Sequence, residues 1–160
     1  MRSYGGSMVV FFSRTRKTEV FAKVLGEMKN LPLFELRSEL NEMPTFRFIV
    51  KALWLTIRGK VFPADKMPED LPEEIYVCSP VWGGNIAPTV KYFLQNANVA
   101  NIRVNILLTA STPTDKYVKN AANLLMKTLC ISGNVFIFAT SSAETLPDAD
   151  IIREHLKEVL

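Results

Sequence analysis

Five short apolar runs alternate with segments whose apolar residues recur every three or four positions, and this alternation constrains the chain more than any other feature. The runs are residues 8–12, 33–36, 75–78, 104–108 and 135–138, rich in β-branched and aromatic side chains, and they read as strands. Helical spacing marks residues 20–28, 45–60, 90–94, 117–129 and 151–160. Strict strand–helix alternation implies an α/β fold, with a parallel sheet joined by right-handed crossovers and helices on both faces. The runs are almost wholly apolar, as burial on both faces demands. In such sheets ligands bind beyond the carboxyl ends of the strands, where the strand order reverses between the first and third strands.

A chain of 160 residues is long enough to bury roughly 70% of its unfolded surface around one core. Residues 8–160 are expected to form one domain, since no repeat, low-complexity tract or linker divides them, and residues 1–7 read as a flexible leader or cloning scar. A net charge of +3 without a dense Lys/Arg block does not point to nucleic acid. No apolar stretch approaches the roughly 20 residues of a membrane span, nor has the layout of a signal peptide. Cys78 and Cys130 lie far apart and outside any CxxC, and read as two buried thiols in a reducing cytoplasm. His155 is the sole histidine, so no metal site is expected. Neither GxGxxG nor GxxxxGK[ST] occurs, which disfavours a Rossmann dinucleotide site and a P-loop NTPase. Cys78-Ser79-Pro80 ends the third strand without the acid a receiver domain would need. The basic, apolar segment 45–60 is expected to turn its apolar stripe to the core, with a membrane surface as the alternative.

Three loops reach the reversal point. The first, Ser13-Arg14-Thr15-Arg16-Lys17-Thr18, sets three hydroxyls and three cations where a strand hands over to a helix N-terminus. Unpaired N–H groups and the positive end of the helix dipole suit a phosphate there, although a capped helix start has the same residue types. The second, Ser79-Pro80-Val81-Trp82-Gly83-Gly84-Asn85, sets a flat aromatic beside two permissive glycines, either to cover a planar ring or as a tight turn with a packed Trp. The third, residues 109–115, offers hydroxyls including Ser111 and Thr112, or simply caps the next helix.

Taken together, the first loop, the Ser79-Pro80-Val81-Trp82-Gly83-Gly84 stretch followed by Pro88 and a helix, and the segment 53–60 before a Pro-rich stretch resemble the flavodoxin family over residues 8–160. The resemblance implies a flavodoxin-like, doubly wound, five-stranded parallel sheet of order 2-1-3-4-5 that binds FMN and transfers electrons without a catalytic side chain. It implies that Ser13, Thr15 and Thr18 give hydroxyls to the phosphate, with the backbone of residues 14–18, and so of Arg14, Arg16 and Lys17, completing the cradle. Pro80, Val81, Trp82, Gly83, Gly84 and Asn85 would line the ring, and Ser111 and Thr112 would approach from the other side. The implied partner is a redox protein, or NAD(P)H or a quinone if the chain is a reductase, with a homodimer as one arrangement. A non-redox module with a decayed flavin site is the third reading. Two departures bear on it. Family phosphate loops usually carry a glycine where this chain has Arg16, and a sequence pI near 8.9 differs from the acidic surfaces of typical flavodoxins.

Overall fold

A computed structural model describes residues 6–140 and 146–160. In chain order the elements are β1 (Ser7–Phe12), α1 (Lys17–Lys29), β2 (Leu33–Leu36), α2 (Thr45–Arg58), β3 (Glu74–Trp82), β4 (Asn85–Ile86), α3 (Pro88–Asn96), β5 (Arg103–Ala110), α4 (Asp115–Asn123), β6 (Val135–Ala139) and α5 (Ala149–Val159). A single 3₁₀ turn over Glu39–Asn41 precedes α2, and α4 runs on into a π-type turn over Leu124–Thr128. The five main strands pair in parallel in the order β2-β1-β3-β5-β6, while β4 pairs antiparallel with the end of β3. With the two-residue β4 set aside, this is the expected order 2-1-3-4-5. Val10 sits beside Val77, Val77 beside Ile106, and Ile106 beside Val135, so the apolar runs stack in register.

Successive strand residues face opposite sides, which splits the core in two. Val9, Phe11, Tyr76 and Leu107 meet Phe21, Leu25, Ile152 and Leu156 from α1 and α5. Val10, Phe12, Val77, Ile106 and Leu108 meet Leu55, Phe93, Leu94 and Ala121 from α2, α3 and α4. The helices thus lie on both faces, as the alternation requires.

Four details differ from the sequence reading. Ser7 already belongs to β1 and its hydroxyl donates to the Glu74 carboxylate at 3.1 Å, while residues 1–5 of the expected leader lie outside the described residues. The third strand continues past Cys78 to Trp82. Pairing of β3 with β1 ends at Cys78, so Pro80 pairs only with β5, at Thr109, and the missing proline N–H is tolerated there. Cys130 is exposed and left-handed, with φ 53°, just past the π-type turn, whereas Cys78 is buried on β3. The fourth difference is α2, whose apolar stripe faces solvent. Phe46, Ile49, Val50, Leu53, Trp54 and Ile57 are exposed, and Leu55 is the buried position among its described residues. A helical period shows that a stripe exists but not which way it turns. Here Leu55 and Phe48, on the opposite side, hold the helix to the domain.

Candidate functional site

The first loop closes on itself at Arg16, which caps α1 in the left-handed region with φ 67° and ψ −4°. A side chain with a Cβ costs about 1–2 kcal/mol in that conformation, and glycine is its usual occupant. This is the position where the resemblance expected a glycine. No side chain among the described residues caps α1, and its N-terminus carries the positive end of the helix dipole. Inside the same turn Ser13 is 7% exposed, and its hydroxyl has no hydrogen-bond partner among the described residues. Burying a hydroxyl without a partner costs on the order of 1–3 kcal/mol. An anion at this turn would satisfy both the hydroxyl and the helix end.

The cations do not all converge on that turn. Arg14 donates to the Met43 carbonyl at 3.1 Å and lies over the Phe48 ring, 4.0 Å from its centroid, which draws it towards α2. Arg16 reaches Glu19 at 3.8 Å with its side chain 69% exposed, so the contact contributes little. Lys17 opens α1 and is half-buried, and Thr15 is exposed at the tip. Thr18 is buried and shares a hydrogen bond of 2.8 Å with Thr109 at the end of β5. Asn41, ahead of α2, donates to the Ser13 carbonyl at 2.9 Å and fixes the loop from the other side.

The second loop is a hairpin. Gly83 and Gly84 take φ 57° and 81°, the two positive values of the two-residue turn that matches the strand twist. A β-carbon on Gly83 would lie 2.4 Å from Cγ2 of Thr56, so α2 packs directly on the turn. From the other flank Asn120 of α4 donates to the Gly84 carbonyl at 2.8 Å, and Asn85 closes back on the Gly83 carbonyl at 3.3 Å. Ser79 accepts from the Ala87 N–H at 3.0 Å and ties the two ends of the hairpin.

Between this hairpin and the third loop lies a pocket of about 440 Å³, lined by Val81, Gly83, Gly84, Ala110, Ser111, Thr112, Lys116 and Tyr117. The structure thus brings Val81, Gly83, Gly84, Ser111 and Thr112 to one pocket. Trp82 does not line this pocket. Its ring turns towards α2 and meets Phe12 and Phe48 edge-on at 5.3 and 4.7 Å, packed against the same side of the core as Val81. Pro80 and Asn85 do not line it either. Three further residues at the pocket escaped the sequence reading: Lys116 and Tyr117 on its wall and Asn120 behind the turn. Their only sequence signal is position, in the first two turns of the helix that follows the third loop. The Thr18–Thr109 bond joins the phosphate-like turn to the strand end that carries this pocket. Among the described residues no group of acids, His and Cys is arranged to hold a metal, and no helix is long and apolar enough to cross a membrane.

No protein-family model matches the chain, and no curated protein matches it in sequence. Solved structures do match in shape. A flavoprotein candidate from Bacteroides eggerthii superposes with a TM-score of 0.73 at 15% identity, covering 96% of both chains. One from Bacteroides uniformis gives the same score and identity over 96% of this chain and 98% of its own. A flavoprotein from Lactobacillus acidophilus, crystallised in complex with FMN, gives 0.61 at 24% identity over 84% and 92%. These likenesses, with the strand order, establish a flavodoxin-like fold.

Proposed function

We propose that this chain binds FMN noncovalently and passes electrons through it. The observation that carries the reading is the buried Ser13 hydroxyl, which has no partner among the described residues, inside a strand–helix turn that no described side chain caps. Ser13, the hydroxyl of Thr15 and the N–H groups at the start of α1 would hold the phosphate. Val81, Gly83 and Gly84 on one side and Ser111, Thr112 and Tyr117 on the other would enclose the ring. Bound there, FMN supplies reversible one- and two-electron transfer, while the protein sets its potential through exposure and hydrogen bonds. Trp82 supports the hairpin from behind instead of stacking on the ring. The shape likeness to the FMN-complexed flavoprotein supports the same assignment.

Titration with FMN tests the reading. Quenching of flavin fluorescence together with a raised melting temperature is expected, because a ligand bound only to the native state stabilises it by mass action. A colourless preparation that neither quenches flavin nor melts later with it would overturn the proposal. For the carrier role, the FMN-loaded protein should not bleach rapidly with NADPH alone under anaerobic conditions. Rapid bleaching would make it a reductase.

A further inference from the structure

We propose that the outward face of α2 seats a second copy of this chain, the two helices meeting antiparallel about a two-fold axis. The inference does not depend on the occupant of the ring pocket. Phe46 is 79% exposed, Ile57 72% and Leu53 60%, and Ile49, Val50 and Trp54 lie beside them. At 100° per residue the six fall within an arc of about 140° on the side away from Leu55. With Leu55 and Phe48 packed on the core from the inner side, α2 carries a second apolar face outward, separated from the inner one by Arg47, Lys51 and Arg58 on one flank and Thr45 and Thr56 on the other. The domain covers one side.

Large apolar side chains present roughly 150–250 Å² each when fully exposed, so these six offer on the order of 600 Å². That is at the upper end for a monomer's largest patch and near the roughly 800 Å² per partner of a stable interface. The face is shaped as well as apolar. A groove of about 510 Å³ runs along one side of it between Glu39, Met43, Trp54 and Phe62, and one of about 350 Å³ runs along the other against Val81 and Trp82. Ridges of one helix flanked by grooves are what helix packing uses.

Charge selects the occupant. Arg47, Lys51, Arg58 and Lys60 lie in residues 45–60 without any acid, while Glu39 borders the groove at the other end. Lys51 and Lys60 are drawn over the Trp54 ring, 4.8 and 5.2 Å from its centroid, and Arg58 lies beside Lys60 at the C-terminal end of α2. A two-fold antiparallel pairing sets Glu39 of one copy against the partner's Arg58 and the partner's Lys60, and opposes the two helix dipoles. The two ends of the face therefore complement each other across the axis, with Arg47 and Lys51 lying along the groove between them. An anionic lipid surface would attract the cations but repel Glu39 and the exposed Glu42 beside it.

Sedimentation of the full chain over a dilution series tests this, with vesicles of phosphatidylserine and phosphatidylcholine as a second arm. Wild type is expected to be a dimer. Leu53→Glu should raise its dissociation constant by at least roughly thirtyfold without changing the circular dichroism, and should melt like wild type once both are diluted to monomers. Glu39→Lys and Arg58→Glu should each weaken the dimer, and the combined variant should recover it. A wild-type monomer at the highest soluble concentration, or a dimer indifferent to Leu53→Glu, would overturn the proposal. So would vesicle binding by a monomer that Leu53→Glu abolishes, which would assign the face to lipid.

Discussion

Thr18 and Thr109, 91 residues apart, share a buried hydrogen bond of 2.8 Å that fastens the start of α1 to the end of β5. Neither hydroxyl has water as an alternative, since the two residues are 2% and 4% exposed. Replacing either with isosteric valine strands the other, at a cost of about 1–3 kcal/mol, whereas replacing both removes the unmet demand. Urea unfolding of Thr18→Val, Thr109→Val and the double variant should therefore be strongly non-additive, the double being little worse than wild type. Additive losses would mean that the two hydroxyls have separate partners.

Ser13→Ala should act in opposite directions on stability and binding. In the protein without ligand the Ser13 hydroxyl is buried and has no partner among the described residues. Removing it should stabilise that form by about 1 kcal/mol. The same change should weaken FMN roughly tenfold, the loss of about 1.4 kcal/mol from one charge-assisted hydrogen bond. Denaturation without flavin and fluorescence titration with it measure the two sides. A destabilised variant with unchanged affinity would show the hydroxyl to be structural.

Sequence reached most of the fold because its strands and helices announce themselves locally, as the runs around Val10, Val77 and Ile106 do. It also placed Arg16 where a left-handed residue was needed. What it missed depends on partners distant in the chain. Trp82 was expected to line the ring, but packing against Phe12, 70 residues earlier, and Phe48 of α2 turns it away from the pocket of Ser111. The outward stripe of α2 has the same period as an inward one, so its direction appears only when Leu55 and Phe48 are seen against the domain. Tyr117 and Asn120 carry no motif of their own. They matter because α4 lies against the Gly83-Gly84 turn.

Cys78 should make the protein lose stability in alkali. Burial on β3 pushes its thiol from the ordinary 9.0 up to about 12. In the unfolded chain the thiol ionises near 9, whereas the folded one holds its proton, so the folded state binds the extra proton. Stability is then full below about pH 9 and falls towards pH 12, with a slope from this group of up to about 1.4 kcal/mol per pH unit. Comparison with Cys78→Ala isolates the effect from lysine and tyrosine titration, and the variant's curve should be flatter above pH 9. Native thiol labelling at neutral pH should modify the exposed Cys130 and spare Cys78. Rapid modification of both would contradict the burial.

Arg16→Gly tests how the first loop bears its strain. With φ 67° the arginine sits about 1–2 kcal/mol above a relaxed residue, and glycine removes that penalty. Glycine in turn adds backbone freedom to the unfolded chain, about 0.5–1 kcal/mol in the other direction. The exposed contact with Glu19, at 3.8 Å, adds little to either side. The net expectation is a gain of about 0.5 kcal/mol, whereas Arg16→Ala, which keeps the Cβ, should gain nothing. Because the Arg16 side chain turns to Glu19, Arg16→Gly should weaken FMN less than Ser13→Ala does. Urea unfolding and flavin titration of the three variants measure both orders. If Arg16→Gly instead weakens FMN more than Ser13→Ala, the arginine swings from Glu19 onto the phosphate, and its strain is retained for binding.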